Sequence, residues 1–144
     1  MIHDVLINKL NRIDVLGGDV LQFLKNDDIG YKKFGEIYCS CIDYNFIKGW
    51  KKHRLVTLNI SVPVGKIKFV IFDERAGSIS FGKFHEIILD KNNFCRITIP
   101  PLLWVAFQGL EQTSSMLLNL IDYKHNQKEA ENCDINTFSY NWSK

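Results

Sequence analysis

Three side chains in the first half of the chain have the types and spacing that proton transfer requires: Tyr38, Lys51 and His53. An imidazole with an ordinary pKa near 6.5 can accept a proton at neutral pH. Lys51 and His53 lie two residues apart, so on a strand they share a face. An ammonium beside a base can steady a developing enolate or hold a phosphate. Tyr38 shares its parity with Ser40 on the preceding β-rich run, where a phenol could act as acid partner to the histidine. Each has a plainer reading: a histidine satisfied by its neighbours, a lysine reaching for solvent from a strand end, a tyrosine packed in the core or rim.

The element that must position them is a period-2 run. Read as one continuous strand, it places Lys51, His53, Leu55, Thr57, Asn59 and Ser61 on one face. Lys52, Arg54, Val56, Leu58, Ile60 and Val62 fall on the other. An aliphatic face opposite a polar row is what a barrel packed on its outside and holding a polar pocket inside would need. On this reading Thr57 and Asn59 extend the site as groups for hydroxyl and keto recognition, while Arg54, Val56 and Leu58 point away. Trp104 follows Pro100-Pro101 at a strand entrance, where an indole could stack on a base or sugar. His85 on a strand and His125 in a polar turn read as surface residues, and His3 is near the terminus.

Turn signals recur at short intervals, among them Gly17-Gly18, Pro63-Val64-Gly65 and Pro100-Pro101. Between such signals lie runs rich in Val, Ile, Phe and Tyr at 19–25, 34–43, 53–62, 67–73, 81–89, 94–99, 104–109 and 116–121. Evenly spaced short strands indicate an all-β sandwich or small barrel. Residues 127–132 suit one helical turn, and the polar tail ending on Tyr140-Asn141-Trp142 is expected to dock on the body. With 144 residues, 46% of them hydrophobic, the chain is read as a single domain, 1–144, with a proper core. A net charge of +2 carried by scattered Lys and Arg argues against a nucleic-acid partner. Cys39, Cys41, Cys95 and Cys133 form no metal spacing and are read as reduced, partly buried thiols. The first residues lack the basic head and apolar core of a signal peptide. No apolar run approaches the roughly 20 residues of a membrane span. The expectation is a soluble, cytoplasmic protein without a membrane partner.

The order of motifs resembles a known group. Phe81-Gly82-Lys83-Phe84, Leu89-Asp90-Lys91-Asn92-Asn93, Ile99-Pro100-Pro101 and Ala106-Phe107 follow one another as in the second half of the dTDP-4-dehydrorhamnose 3,5-epimerase family. Ile121-Asp122-Tyr123 before an acidic turn is similar to that family's Asp-Tyr-Tyr segment. Lys48-Gly49-Trp50-Lys51-Lys52-His53-Arg54 is closer to the Arg-Gly-x-His-Ala-His-Lys motif of the sugar 3,4-ketoisomerases. Both groups are RmlC-like cupins, and the resemblance runs from about Ile37 to Asp134.

The resemblance implies an all-β cupin jelly-roll barrel of antiparallel strands and a homodimer. It implies an isomerase or epimerase of a nucleotide-linked (dTDP- or UDP-) 4-keto-6-deoxy sugar in surface polysaccharide (O-antigen or LPS) biosynthesis. His53 would be the base, Lys51 with Asn59 would steady the enolate, and Tyr38 or a water would return the proton. Lys48, Thr57, Asn59 and Trp104 would hold the substrate. Departures accompany the matches. Lys51 stands where the ketoisomerase motif has its first histidine, the epimerase tyrosine falls at Leu118, and the histidine after its Pro-Pro falls near Val105. No cofactor and no metal is expected, because one histidine beside a lysine cannot make a three- or four-ligand site. The alternative, a non-catalytic sugar-nucleotide binder or a partner of another biosynthetic enzyme, stays open on these residues.

Overall fold

A computed structural model describes residues 1–143. Among these described residues twelve strands run in chain order: β1 (Leu6–Lys9), β2 (Arg12–Val15), β3 (Gly18–Leu21), β4 (Glu36–Ile42), β5 (Ile47–His53), β6 (Leu58–Val64), β7 (Ile67–Phe72), β8 (Phe84–Leu89), β9 (Cys95–Ile99), β10 (Trp104–Gly109), β11 (Ser115–Ile121) and β12 (Ala130–Asn132). One 3₁₀ turn, Gln127–Glu129, precedes β12. No helix among the described residues is long and apolar enough to cross a membrane.

Two five-stranded antiparallel sheets face each other, in the orders β1-β9-β6-β11-β4 and β12-β5-β10-β7-β8, with β2 and β3 forming a separate hairpin. This is the jelly roll expected from the resemblance, built as a sandwich rather than a closed barrel. Among the described residues only an isolated bridge, Tyr44 to Gly109, lies outside the named strands. Alternation along the strands sends Leu58, Ile60 and Val62 of β6, Ile67, Phe69 and Ile71 of β7 and Ile97 and Ile99 of β9 into the space between the sheets. The outer face of the second sheet carries its own cluster of Trp50, Val70, Trp104 and Ala106. The chain's end covers it with Ile135, Phe138, Tyr140 and Trp142. The tail therefore docks as the sequence suggested, and Trp50 Nε1 donates to Ile135 O at 3.1 Å.

The long run at 53–62 is not one strand. β5 ends at His53 in the second sheet and β6 begins at Leu58 in the first. The crossing is held by backbone amides that leave the ladder. Arg54 N donates to Glu129 O (3.2 Å). Leu55 N (2.7 Å) and Val56 N (3.2 Å) donate to Glu129 Oε1, and Thr57 N donates to Asp122 Oδ1 (2.8 Å). Two distant carboxylates thus satisfy the groups that a continuous strand would have paired. Parity read across that break reverses the faces: the aliphatics Leu58, Ile60 and Val62 point into the core, and Asn59 points out of it.

Candidate functional site

A cavity of about 300 Å³ opens between the sheets, lined by Tyr38 and Ser40 of β4, Lys48, Gly49, Lys51 and His53 of β5, Leu117 and Asn119 of β11, and Asn132 of β12. Its remaining wall is apolar: Leu58, Ile60, Phe69, Val105 and Phe107. Lys48 and Lys51 are three residues apart and would face opposite sides of a regular strand. A β-bulge brings them together. β10 pairs Val105 with Lys51 and Phe107 with Lys48, so Gly49 and Trp50 both stand opposite Ala106. The extra residue restores Lys48 to the cavity side and sends Trp50 to the outer cluster. Only glycine fits this bulge. Gly49 has φ +131°, and a Cβ there would lie 2.5 Å from Ala106 Cβ.

His53 is 6% exposed, and its Nδ1 lies 2.7 Å from Glu129 Oε2. Burial lowers the His53 pKa below its ordinary value, outweighing the support of the neighbouring carboxylate, and the Lys51 ammonium acts in the same direction as burial. Burial opposes ionisation of Glu129, but the amides of Leu55 and Val56 and the His53 ring outweigh it and hold its carboxyl below the usual range. The pair is therefore a neutral imidazole donating Nδ1–H to a carboxylate, which leaves Nε2 with a free lone pair. Lys51 is half-buried, and its ammonium has no hydrogen-bond or ion-pair partner among the described residues. Lys48 Nζ donates to Cys41 O.

Tyr38 is half-buried and accepts a hydrogen bond from Asn119 Nδ2 at 2.9 Å. Desolvation raises its pKa above the ordinary phenol value, partly offset by the Asn119 bond. Tyr38 and Asn119 are directly paired across β4 and β11.

The structure brings together Tyr38, Lys48, Lys51 and His53 and separates three other sequence candidates from them. Asn59 is 2% exposed on the outer face of the first sheet. There its Nδ2 donates to Gly30 O (3.3 Å) and its Oδ1 accepts from Thr98 Oγ1 (2.8 Å). Thr57 is buried in the crossing between the sheets and does not line the cavity. Trp104 faces the aromatic cluster, donates Nε1–H to Glu74 Oε2 (2.7 Å) and is covered by the Lys52 ammonium, 4.6 Å from its ring centroid. Leu118 lies on the outward side of β11, and the cavity-facing neighbour is Asn119. Val105 does line the cavity, so the position where the family histidine would fall is on the wall with an apolar side chain. His85 is half-buried on β8, not a surface residue as its sequence suggested. Cys39 and Cys41 are exposed, Cys95 is buried, and all four thiols are free.

Sequence reasoning missed Glu129 and Asn119. Glu129 lies 76 positions from His53. Its only local signal was the acidic turn after Asp122-Tyr123. Asn119 sits one residue from the position aligned to the family's acid. No group of three or more His, Cys, Asp or Glu among the described residues could hold a metal ion.

The model of the family described as dTDP-4-dehydrorhamnose 3,5-epimerase matches residues 27–144. The crystal structure of a dTDP sugar isomerase from Desulfovibrio desulfuricans G20 superposes with TM-score 0.92 at 32% identity, over 94% of this chain and 87% of that one. A probable low-salt glycan biosynthesis epimerase, Agl13 of Haloferax volcanii, is 26% identical over 148 residues, 99% of this chain and 95% of that protein. ChmJ of Streptomyces bikiniensis, a 3′-monoepimerase crystallised with dTDP-quinovose, shares the fold with TM-score 0.84 at 13% identity, over 93% of this chain and 71% of that one.

Proposed function

Because this chain belongs to the dTDP-4-dehydrorhamnose 3,5-epimerase family, we propose that its cavity moves a proton at the carbon next to the ketone of a nucleotide-linked 4-keto-6-deoxy sugar. The observation that carries this reading is the His53–Glu129 pair with Lys51 and Tyr38 in one cavity. His53 Nε2 takes the proton, and the C–H electron pair moves into an enolate whose oxygen Lys51 stabilises. Tyr38 gives its hydroxyl proton to that carbon from the other side, and the phenolate and imidazolium re-equilibrate with water. The apolar wall of Leu58, Ile60, Val105 and Phe107 suits the sugar's methyl group. Lys48 at the exposed end of the row suits the diphosphate of a dTDP or UDP carrier.

The relative named for glycan biosynthesis supports a role in glycan synthesis; a surface polysaccharide such as O-antigen or LPS as the product, and the cytoplasm as the location, belong to this proposal. A homodimer is supported by β4, an edge strand that exposes Ile37, Cys39 and Cys41. Light scattering on the purified protein tests that point.

The activity is tested in deuterated buffer with a dTDP-linked 4-keto-6-deoxy hexose. Wild-type protein should wash deuterium into the ring. Tyr38→Phe should keep wash-in and lose net inversion. A protein that binds the sugar nucleotide but exchanges no proton with any 4-keto hexose offered is a binding module, and the enzymatic reading is then wrong.

A further inference from the structure

Asn119 is 2% exposed, and both ends of its amide are engaged. Oδ1 accepts the backbone N–H of Asn59 at 3.2 Å, and Nδ2 donates to Tyr38 Oη at 2.9 Å. The first contact decides the second. A backbone N–H can only donate, so the amide atom facing it must be the oxygen, which turns the NH₂ toward the phenol. An NH₂ group can only donate, so the phenol oxygen must accept. The hydroxyl proton of Tyr38 has no acceptor in that direction and remains available to the cavity.

We propose that Asn119 is the positioning residue for the acid, holding the Tyr38 hydroxyl so that its proton points at the substrate and steadying the phenolate left after transfer. The acid role of Tyr38 itself rests on the reading given under Proposed function. The transfer balances within the site. The Tyr38 O–H bond breaks as a C–H bond forms from the enolate pair, and the negative charge passes from the enolate oxygen to the phenolate, where the Asn119 N–H bond strengthens. The bond acts against burial, which pushes the phenol toward a higher pKa. A phenol buried without that donor would be a poorer acid. Among the described residues no other side chain hydrogen-bonds Tyr38 Oη, so the role is not shared.

The test reads ionisation directly, without turnover. Tyrosines are replaced by 3,5-difluorotyrosine, whose phenol titrates nearer neutrality, and the Tyr38 resonance is assigned by ¹⁹F NMR against Tyr38→Phe. Asn119→Leu keeps the volume and removes the donor. Hydrogen bonds to charged groups are strong enough that its loss should raise the Tyr38 titration midpoint by about one to two pH units. Asn119→Asp is the second, near-isosteric variant. Its carboxylate can still accept from Asn59 N but can only accept from Tyr38, so it should turn the hydroxyl proton away from the cavity and raise the midpoint at least as far. In the wash-in assay Asn119→Asp should behave as Tyr38→Phe does, exchanging deuterium while losing net inversion. A Tyr38 midpoint unchanged in both folded variants overturns the proposal. A raised midpoint with net inversion at the wild-type rate upholds the hold of Asn119 on the hydroxyl and shows instead that Tyr38 is not the acid.

Discussion

Two polar regions of the same sandwich invite comparison: the cavity between the sheets, and the shelf on the outer face of the first sheet. On the shelf, Asn59, Arg96 and Thr98 are each at most 4% exposed. Arg96 donates to Phe23 O (3.1 Å), Asp28 Oδ2 (2.9 Å) and Ile29 O (2.8 Å), while Asn59 holds Gly30 O. These groups dock residues 23–30 onto the sheet, and Gly30 is required because a Cβ there would lie 2.5 Å from Thr98 Oγ1. In the cavity the polarity is left open among the described residues: an ammonium without a partner, an imidazole with one bound nitrogen, a phenol that accepts but has not donated. Apart from Arg96 Nε, the polar side-chain atoms of Asn59, Arg96 and Thr98 are paired with one another or with residues 23–30, and groups satisfied in this way build structure. Polar groups left with a free valence around a void are available for chemistry.

The largest expected contrast is between a cavity base and a shelf amide. His53→Asn should reduce deuterium wash-in by about 10²–10⁴-fold with folding intact, because a general base contributes on that scale. Glu129→Gln sharpens the point. Its amide oxygen can still accept Leu55 N and Val56 N, so the crossing between the sheets survives. Its NH₂ would then face Nδ1, and the imidazole would carry its proton on Nε2, which can no longer act as a base. Wash-in should fall by about 10²-fold or more, as loss of an orienting carboxylate does in other histidine-based sites, with the melting temperature little changed.

The two regions also show where the sequence was legible. Strands β9, β10 and β11 were readable to within a residue at either end, because each lies between clear turn signals and alternates regularly. Tyr38, Lys51 and His53, grouped by type and parity, line one cavity. Asn59 and Thr57 do not join them, since parity holds only along one strand and the break after His53 is made by Glu129 and Asp122, carboxylates more than 60 positions away. Beyond the break Asn59 holds Gly30 O and Thr57 is buried in the crossing, so neither lines the cavity. The bulge that brings Lys48 beside Lys51 depended on Gly49 opposite Ala106, a pairing no local pattern reveals.

Lys51 and Lys48 separate more finely. If Lys51 stabilises the enolate, Lys51→Met should slow wash-in by about 10- to 100-fold at saturating substrate, and Lys48→Met should chiefly raise KM. A pH profile distinguishes them further. Burial, with help from Lys51, lowers the His53 pKa, so the acid limb of kcat/KM should lie below 6.5, the ordinary histidine value. Removing the Lys51 charge should move that limb upward, and removing Lys48 should not. The same lowering predicts a stability trend. The unfolded histidine binds its proton more readily than the folded one, so the contribution is complete above 6.5 and is lost as pH falls through the lower folded value.

The smallest effect on chemistry is expected at the shelf, and there the sign of the stability effect carries the argument. Asn59→Ala removes the acceptor of Thr98 Oγ1 and the donor to Gly30 O in a site where water has little access. Groups left unpaired in such a place cost about 1–3 kcal/mol, so denaturant unfolding should show a loss of that order. The wash-in rate per folded molecule should stay at the wild-type level. Asn59 does touch the cavity indirectly, since its backbone N–H holds Asn119 Oδ1, but a side-chain truncation leaves that N–H in place. If Asn59→Ala instead slows wash-in as much as Lys51→Met does, the shelf and the cavity are coupled through β6. The distinction between satisfied and open polarity would then not separate structure from chemistry in this fold.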